Sequence, residues 1–125
     1  MSKKYKPTFY RTPFEHVHYT LVRNQKQLDG VLDKSGHALV FLDLQASAQV
    51  DSIQQDGCCY CIVQIGDTSA HSATAVYGLL VHEAVHIWQA ALKNMNESEP
   101  SKEFEAYSVQ RIAMDLFYMY DRSQT

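Results

Sequence analysis

Two histidines four residues apart, with a glutamate directly after the first, are the side chains best suited to chemistry in this sequence. They are His82, Glu83 and His86, in the segment LLVHEAVHIWQ at residues 79–89. On an α-helix, residues i and i+4 lie one above the other, so both imidazoles can face one metal ion. The glutamate then lies beside the ion, where its carboxylate can take a proton from water. The alternative is a helix whose histidines are simply solvated or hydrogen-bonded.

The last predicted helix, from Ser101 to Tyr120, places one glutamate in its apolar stripe. Glu105 is in helical register with Val109, Ile112 and Leu116. An unpaired carboxylate is costly to bury, so this side chain is expected to have a partner. The turn-rich segment NMNESEPS, whose proline suits a first helical turn, would bring this helix back against the first. We therefore expect one inward-facing carboxylate near the histidine helix.

The spacing of these residues resembles that of a known family. H-E-x-x-H followed by Glu105 after 18 intervening residues is similar to the pattern of the gluzincin group of zincin-type zinc metallopeptidases. The strings HEAVHIWQ and EFEAYSVQ look like those of small zinc metallopeptidase-like proteins encoded by tailed bacteriophages. The resemblance covers roughly residues 78–112. It implies that His82, His86 and Glu105 hold Zn²⁺ and that Glu83 is the general base for a metal-activated water that hydrolyses a peptide bond.

Two other side chains are weaker candidates for binding substrate or supporting the ligands. Gln89 shares the helix face of the histidines, where it could hydrogen-bond one of them or a substrate. Tyr107 closely follows Glu105 but projects to another side of its helix, and packing explains such a tyrosine equally well.

Two alternatives to a peptidase remain open on the sequence. A zinc ion could merely pin the helices of a non-catalytic phage structural or host-interaction protein, since a chain of 125 residues has no room for the second domain of conventional gluzincins. A zinc amidase acting on cell-wall peptide would use the same ligands. An exchangeable fourth site beside Glu83 would favour catalysis over the structural role.

The rest of the chain predicts the elements that position this site. Strands are expected over Val17 to Val22, within HALVFLDLQ at residues 37–45, and within DGCCYCIVQIGD at residues 56–67, with a short helix from Gln25 to Leu32 between the first two. Residues 45–55 are polar and ambiguous. The first long helix is expected over residues 72–94, with Val81, Val85, Trp88 and Leu92 on its core side.

These elements predict an α+β fold in which a small antiparallel or mixed sheet packs on two long helices, with the zinc between the helices. Residues 1–14 are expected to form an extended arm, and residues 15–125 a single zincin-like domain. In the third strand, alternation places Cys59, Cys61, Val63 and Ile65 on one face. The Cys-x-x-Cys pair therefore points to opposite faces, which favours buried free thiols over a redox or zinc motif.

Composition limits the partners. Eleven lysines and arginines against 14 acidic residues give a net charge of −3, so neither nucleic acid nor an anionic membrane is expected to bind. The sequence contains neither the apolar region of a signal peptide nor a run long enough for a transmembrane helix. We expect a cytoplasmic protein, in the host cytoplasm if phage-encoded, whose partner is a peptide or protein substrate.

Overall fold

The computed structural model describes residues 5–12 and 16–124. Seven elements follow one another along the chain: β1 (Tyr10–Arg11), β2 (Val17–Val22), α1 (Gln25–Val31), β3 (Ala48–Gln55), β4 (Cys58–Ile65), α2 (Ala73–Met95) and α3 (Lys102–Ser123). None of the described helices has both the length and the apolar character needed to cross a lipid bilayer.

The four strands form one mixed sheet in the order β1-β2-β4-β3. The parallel pair β2 and β4 is central, and β3 and β1 add antiparallel at the two edges. The tight turn between β3 and β4 uses Asp56 and Gly57, both with positive φ. The prediction of an α+β fold with a small mixed sheet on two long helices is therefore confirmed.

The long helices α2 and α3 pack together on one face of the sheet and enclose the larger core. Their N-termini are capped by Ser72 and Ser101, whose hydroxyls accept hydrogen bonds from backbone amides of the first turn. The core-facing side chains of β4 on this face are Cys59, Cys61, Val63 and Ile65, as alternation predicted. Pro100 precedes the capping serine of α3, so it lies just outside the first turn rather than in it.

The opposite face of the sheet is covered by α1 and by the segment that follows it. Leu28 of α1 packs with Val22, Ile53 and Ile62, and Leu39 and Phe41 pack against this cluster. Both faces of β4 are therefore buried, which explains the nearly continuous apolar sequence of this strand.

Residues 37–45 do not form the strand predicted for HALVFLDLQ. They form a loop with a turn over residues 41–44, in which Leu42 and Gln45 have φ of 52° and 57°. Phe41 contributes its apolar area from this loop, and the Leu42 amide donates to the Oε1 of buried Gln64 at 2.8 Å. Burial of apolar side chains does not require a strand. The Gln64 side chain here accepts a backbone hydrogen bond that a neighbouring strand would otherwise accept.

The ambiguous polar segment contains β3, an edge strand. Gln49 and Ile53 are buried on the α1 face, and the amide of Gln49 donates to Asp43 and Asp51 at 2.8 and 3.0 Å. The other face of β3 carries the small side chains of Ala48 and Ser52 toward α2. Edge strands with one covered polar face lack the apolar alternation that sequence analysis detects.

The core side of α2 also differs from the expectation. Val81 and Val85 are 40% and 36% exposed, whereas the fully buried positions are Leu80, Ala84, Ile87 and Ala91. Trp88 is buried as predicted. The buried face of α2 is rotated around the helix relative to the prediction, because α2 packs on two neighbours, the sheet and α3. The apolar pattern alone does not tell which positions face these neighbours.

Candidate metal centre

The two histidines of α2 converge on one point. The Nε2 atoms of His82 and His86 lie 3.2 Å apart, and both side chains are solvent-exposed. Gln89, one turn after His86, accepts a hydrogen bond from His86 Nδ1 at 3.0 Å. Since the amide Oε1 has no hydrogen to give, Nδ1 is the donor in this contact, and in the neutral tautomer that results the Nε2 lone pair faces His82.

Glu83 lies beneath the histidines and is 4% exposed. Its Oε2 is buried and has no hydrogen-bond partner among the described residues. Burial raises the pKa of this carboxyl above its usual value of 4.5, and the positive charge that His82 and His86 can carry opposes the rise. A buried oxygen of this kind is costly in an otherwise well-satisfied protein, so it indicates a function or an absent ligand.

The three side chains line a groove between α2 and β3, which we call the α2/β3 groove. Two adjoining cavities of about 420 and 470 Å³ form it, and both are lined by His82 and Glu83. His86 borders the first cavity, opposite Leu44 of the loop before β3. Gly78 borders the second cavity, one helical turn before His82. The candidate metal centre is therefore open to a ligand from solvent along the length of the groove.

The donor set fits a divalent metal ion. Ligand atoms of His82, Glu83 and His86 all lie within 4.8 Å of one another, the one such group among the residues the structure describes. Two nitrogens bound to a single tetrahedral zinc ion at about 2.0–2.1 Å lie roughly 3.3 Å apart, close to the observed Nε2 separation. Gln89 supplies the outer hydrogen bond that metal-binding histidines generally have. His82, Glu83 and His86 could therefore hold a metal ion.

Glu105 is not part of this group. It is exposed in the first turn of α3, not inward-facing as expected, and its Oε2 accepts a hydrogen bond from the Trp88 indole at 2.9 Å. Each helical residue turns the side chain by about 100°, so Trp88, two positions after His86, projects to nearly the opposite side of α2. The helix α3 packs on that side. The candidate metal-binding group therefore lies between α2 and β3, whereas the zinc was predicted to lie between the two helices.

The remaining candidates divide in the same way. Gln89 lies on the histidine face and contacts His86, as its position predicted. Tyr107 is 66% exposed on α3 and lines neither cavity of the groove. The residues that sequence reasoning missed are those of the opposite wall, Leu44, Ala46 and Ala48. Only the run of small residues in QASAQ could have indicated them, and such a run is common in loops.

The cysteines take no part in the candidate metal group. Cys59 and Cys61 are buried in the core, Cys58 is half-buried on the other face, and all three are free. Their arrangement matches the prediction of buried free thiols in a strand for the two core residues. Ser52, which lines the groove, lies 3.5 Å from the Cys61 thiol.

No protein-family model matches this chain, and neither the curated proteins nor the solved structures include one with significant similarity to it. The case for a function therefore depends on the geometry of the α2/β3 groove.

Proposed function

We propose that this protein is a zinc-dependent metallopeptidase that hydrolyses a peptide bond bound in the α2/β3 groove. One observation carries the proposal: two imidazole Nε2 atoms converge at 3.2 Å beside Glu83, a carboxylate with one buried oxygen that has no hydrogen-bond partner among the described residues. A structural protein gains nothing from such an oxygen, because burying it costs free energy. A hydrolase gains a base held close to the reacting atoms.

His82 and His86 would hold the zinc ion, which when bound supplies a Lewis acid that polarises the scissile carbonyl and makes water more acidic. Gln89 keeps the His86 ring oriented by accepting its Nδ1 proton. Glu83 accepts a proton from the attacking water on its carboxylate and returns it to the leaving amine. Burial raises the pKa of this carboxyl, which makes it a stronger base toward the attacking water.

The resemblance to gluzincins makes Glu105 the predicted third ligand, and that assignment stays a prediction. To serve as a ligand, the Glu105 carboxylate would have to give up its hydrogen bond with Trp88 and reach the histidine side of α2. Without it, the two histidines leave more positions for solvent and substrate, and the metal would be held more weakly. The two cases therefore differ in metal affinity.

The position of the groove favours catalysis over a structural zinc ion. A metal ion that pins two helices must lie between them, whereas the α2/β3 groove is lined by α2, β3 and the loop before it, with no contribution from the described residues of α3. The amidase alternative requires the same reacting groups and differs only in substrate.

The test is metal binding and hydrolysis by the purified protein with His82→Ala and Glu83→Gln variants. The wild type should bind about one zinc ion per chain and cleave members of a randomised peptide library. His82→Ala should lose both properties. Glu83→Gln should keep the metal while its cleavage rate falls by about 10²-fold to 10⁴-fold, because the base is gone but the ligands remain.

Lys26→Met serves as the control, since Lys26 is exposed on α1 and lines neither cavity of the groove, so metal binding should be unchanged. A cell-wall muropeptide panel run in parallel separates the peptidase from the amidase. If the wild type binds no zinc, or if Glu83→Gln cleaves as fast as the wild type, the proposed function is wrong.

A further inference from the structure

The glycine one turn before His82 lowers the stability of its helix. Gly78 lies in the interior of α2, where glycine is less stabilising than alanine. No packing contact in the described structure requires a glycine here, since a Cβ added at Gly78 would meet no atom within 4 Å. The room beside this backbone is therefore available to something outside the chain.

That room is the second cavity of the α2/β3 groove, with a volume of about 470 Å³. Small side chains wall it on both sides: Ala75 on the helix, and Ala46 and Ala48 on the loop and β3. Leu79 adds an apolar surface at the helix side. Glu83, whose Oε2 is buried without a partner, lies where this cavity joins the one that His86 borders. A group seated in the cavity is thus adjacent to the candidate base.

We infer that this cavity, the Gly78 subsite, binds a bulky apolar side chain of the substrate, next to the bond that is cleaved. The inference rests on the proposed function, which supplies the reason for a peptide to lie along the groove. His82 and Glu83 line the end of this cavity that belongs to the candidate metal centre, and Ser47 adds one hydroxyl. The other walls are glycine, alanine and leucine, which carry no charge and leave space that a phenylalanine or leucine side chain would fill. Gly78 is the residue that determines specificity, because any side chain there would occupy the subsite.

The test fills the subsite from the protein side. Gly78→Leu should keep the fold and the zinc, because leucine is a better helix former and position 78 is exposed. Thr74→Leu is the matched control: it adds a leucine to an exposed site of the same helix that lines neither cavity. Gly78→Ala provides an intermediate. Two readouts are needed. The first is cleavage of the peptide library. The second is binding of terminally blocked alanine pentapeptides, with Phe, Leu or Ala at the central position, to zinc-loaded protein that also carries Glu83→Gln.

We expect wild type and Thr74→Leu to prefer Phe and Leu beside the cleaved bond. Gly78→Leu should lose about 10-fold to 200-fold in kcat/KM for these substrates and shift to alanine. Its Glu83→Gln form should lose affinity for the Phe and Leu peptides and keep its affinity for the Ala peptide. Equal profiles for wild type and Gly78→Leu would overturn the subsite and leave the peptidase standing. If the Phe peptide binds selectively, Gly78→Leu removes that binding and the wild type cleaves no peptide, the subsite is supported and the proposed hydrolysis is overturned. Failure of every peptide to bind would overturn the subsite.

Discussion

Arg23, which lies between β2 and α1, hydrogen-bonds the ends of several elements near the start of α2, whereas Glu83, in the middle of α2, is buried with one oxygen that has no hydrogen-bond partner among the described residues. The Nε and Nη2 atoms of Arg23 donate to the carbonyls of Ile65 and Gly66 at 2.9 and 2.7 Å. Its Nη1 donates to the Ser123 hydroxyl at 2.8 Å. The guanidinium carbon Cζ lies 4.9 Å from the ring centroid of Tyr120. The Arg23 cluster thus ties β2, the end of β4 and the end of α3 together.

The two regions contain cavities of similar size, about 460 Å³ at the Arg23 cluster and about 420 Å³ beside His86. Volume therefore does not separate them. They differ in whether the polar groups are satisfied: the arginine donors have acceptors, while one oxygen of Glu83 has none. A polar group that stabilises the fold is hydrogen-bonded within it, and one left free is available for a ligand.

The largest effect expected is the loss of the Arg23 cluster. Arg23→Met should lower the free energy of unfolding by about 2–3 kcal/mol, because two backbone carbonyls lose charged donors. Urea denaturation measures this change, and Lys26→Met, at an exposed site, is the control. Zinc affinity should stay at the wild-type value. A change below about 0.5 kcal/mol would show that the cluster does not hold the element ends together.

The opposite sign is expected in the groove. Glu83→Met should raise the free energy of unfolding of the metal-free protein by about 1–3 kcal/mol, because an apolar side chain replaces a buried, unpartnered carboxylate. The same variant should lose hydrolysis. Unfolding in urea with a chelator present gives the measurement. Destabilisation instead would mean that the carboxylate supports the fold, which would remove the contrast with Arg23.

A smaller effect is expected on the side of α2 that faces α3. Trp88→Phe and Glu105→Ala should each cost about 1 kcal/mol, with a coupling of similar size in a double-mutant cycle, because they share one hydrogen bond. Zinc titration of the same variants tests the predicted third ligand. Zinc affinity reduced about 10-fold or more by Glu105→Ala and preserved by Trp88→Phe would make Glu105 a ligand. Unchanged affinity in both would confine Glu105 to the helix contact.

The smallest effect is expected behind the groove and only at alkaline pH. Burial raises the pKa of the Cys61 thiol from 9.0 to about 12, with Ser52 opposing the rise and Cys59 adding to it. The folded protein therefore holds a proton that the unfolded chain releases, so stability is full below about pH 9 and falls as the pH rises toward 12. Cys61→Ala should lose less stability than the wild type between about pH 8 and pH 10. Equal losses would indicate that water reaches this thiol through the groove.

Local pattern was sufficient for the parts of the protein whose geometry is local. The four-residue spacing of His82 and His86 places their imidazoles together on any α-helix. Alternation fixes which side chains of β4 share a face, and Ser72 caps α2 where the sequence predicted its start. Each of these depends only on the period of one element, so no distant contact had to be known.

The helix on which Glu105 lies was predicted, but its partner was not. Its carboxylate reaches Trp88 because α3 packs on the side of α2 away from the histidines. That choice depends on which apolar residues of α2 meet the sheet, and both of its apolar sides look alike in sequence. The wall opposite the histidines came from β3 and Leu44, whose polar and irregular segments have no period to detect.

The sequence by itself determined the candidate metal-binding group of this protein, since a helix places His82, Glu83 and His86 together through short-range geometry. Only the tertiary structure decided what those groups face. The side of α2 covered by β3 became the open groove, and the side covered by α3 became closed core. Packing between elements is set by the sum of many distant apolar contacts, which no single stretch of the sequence contains.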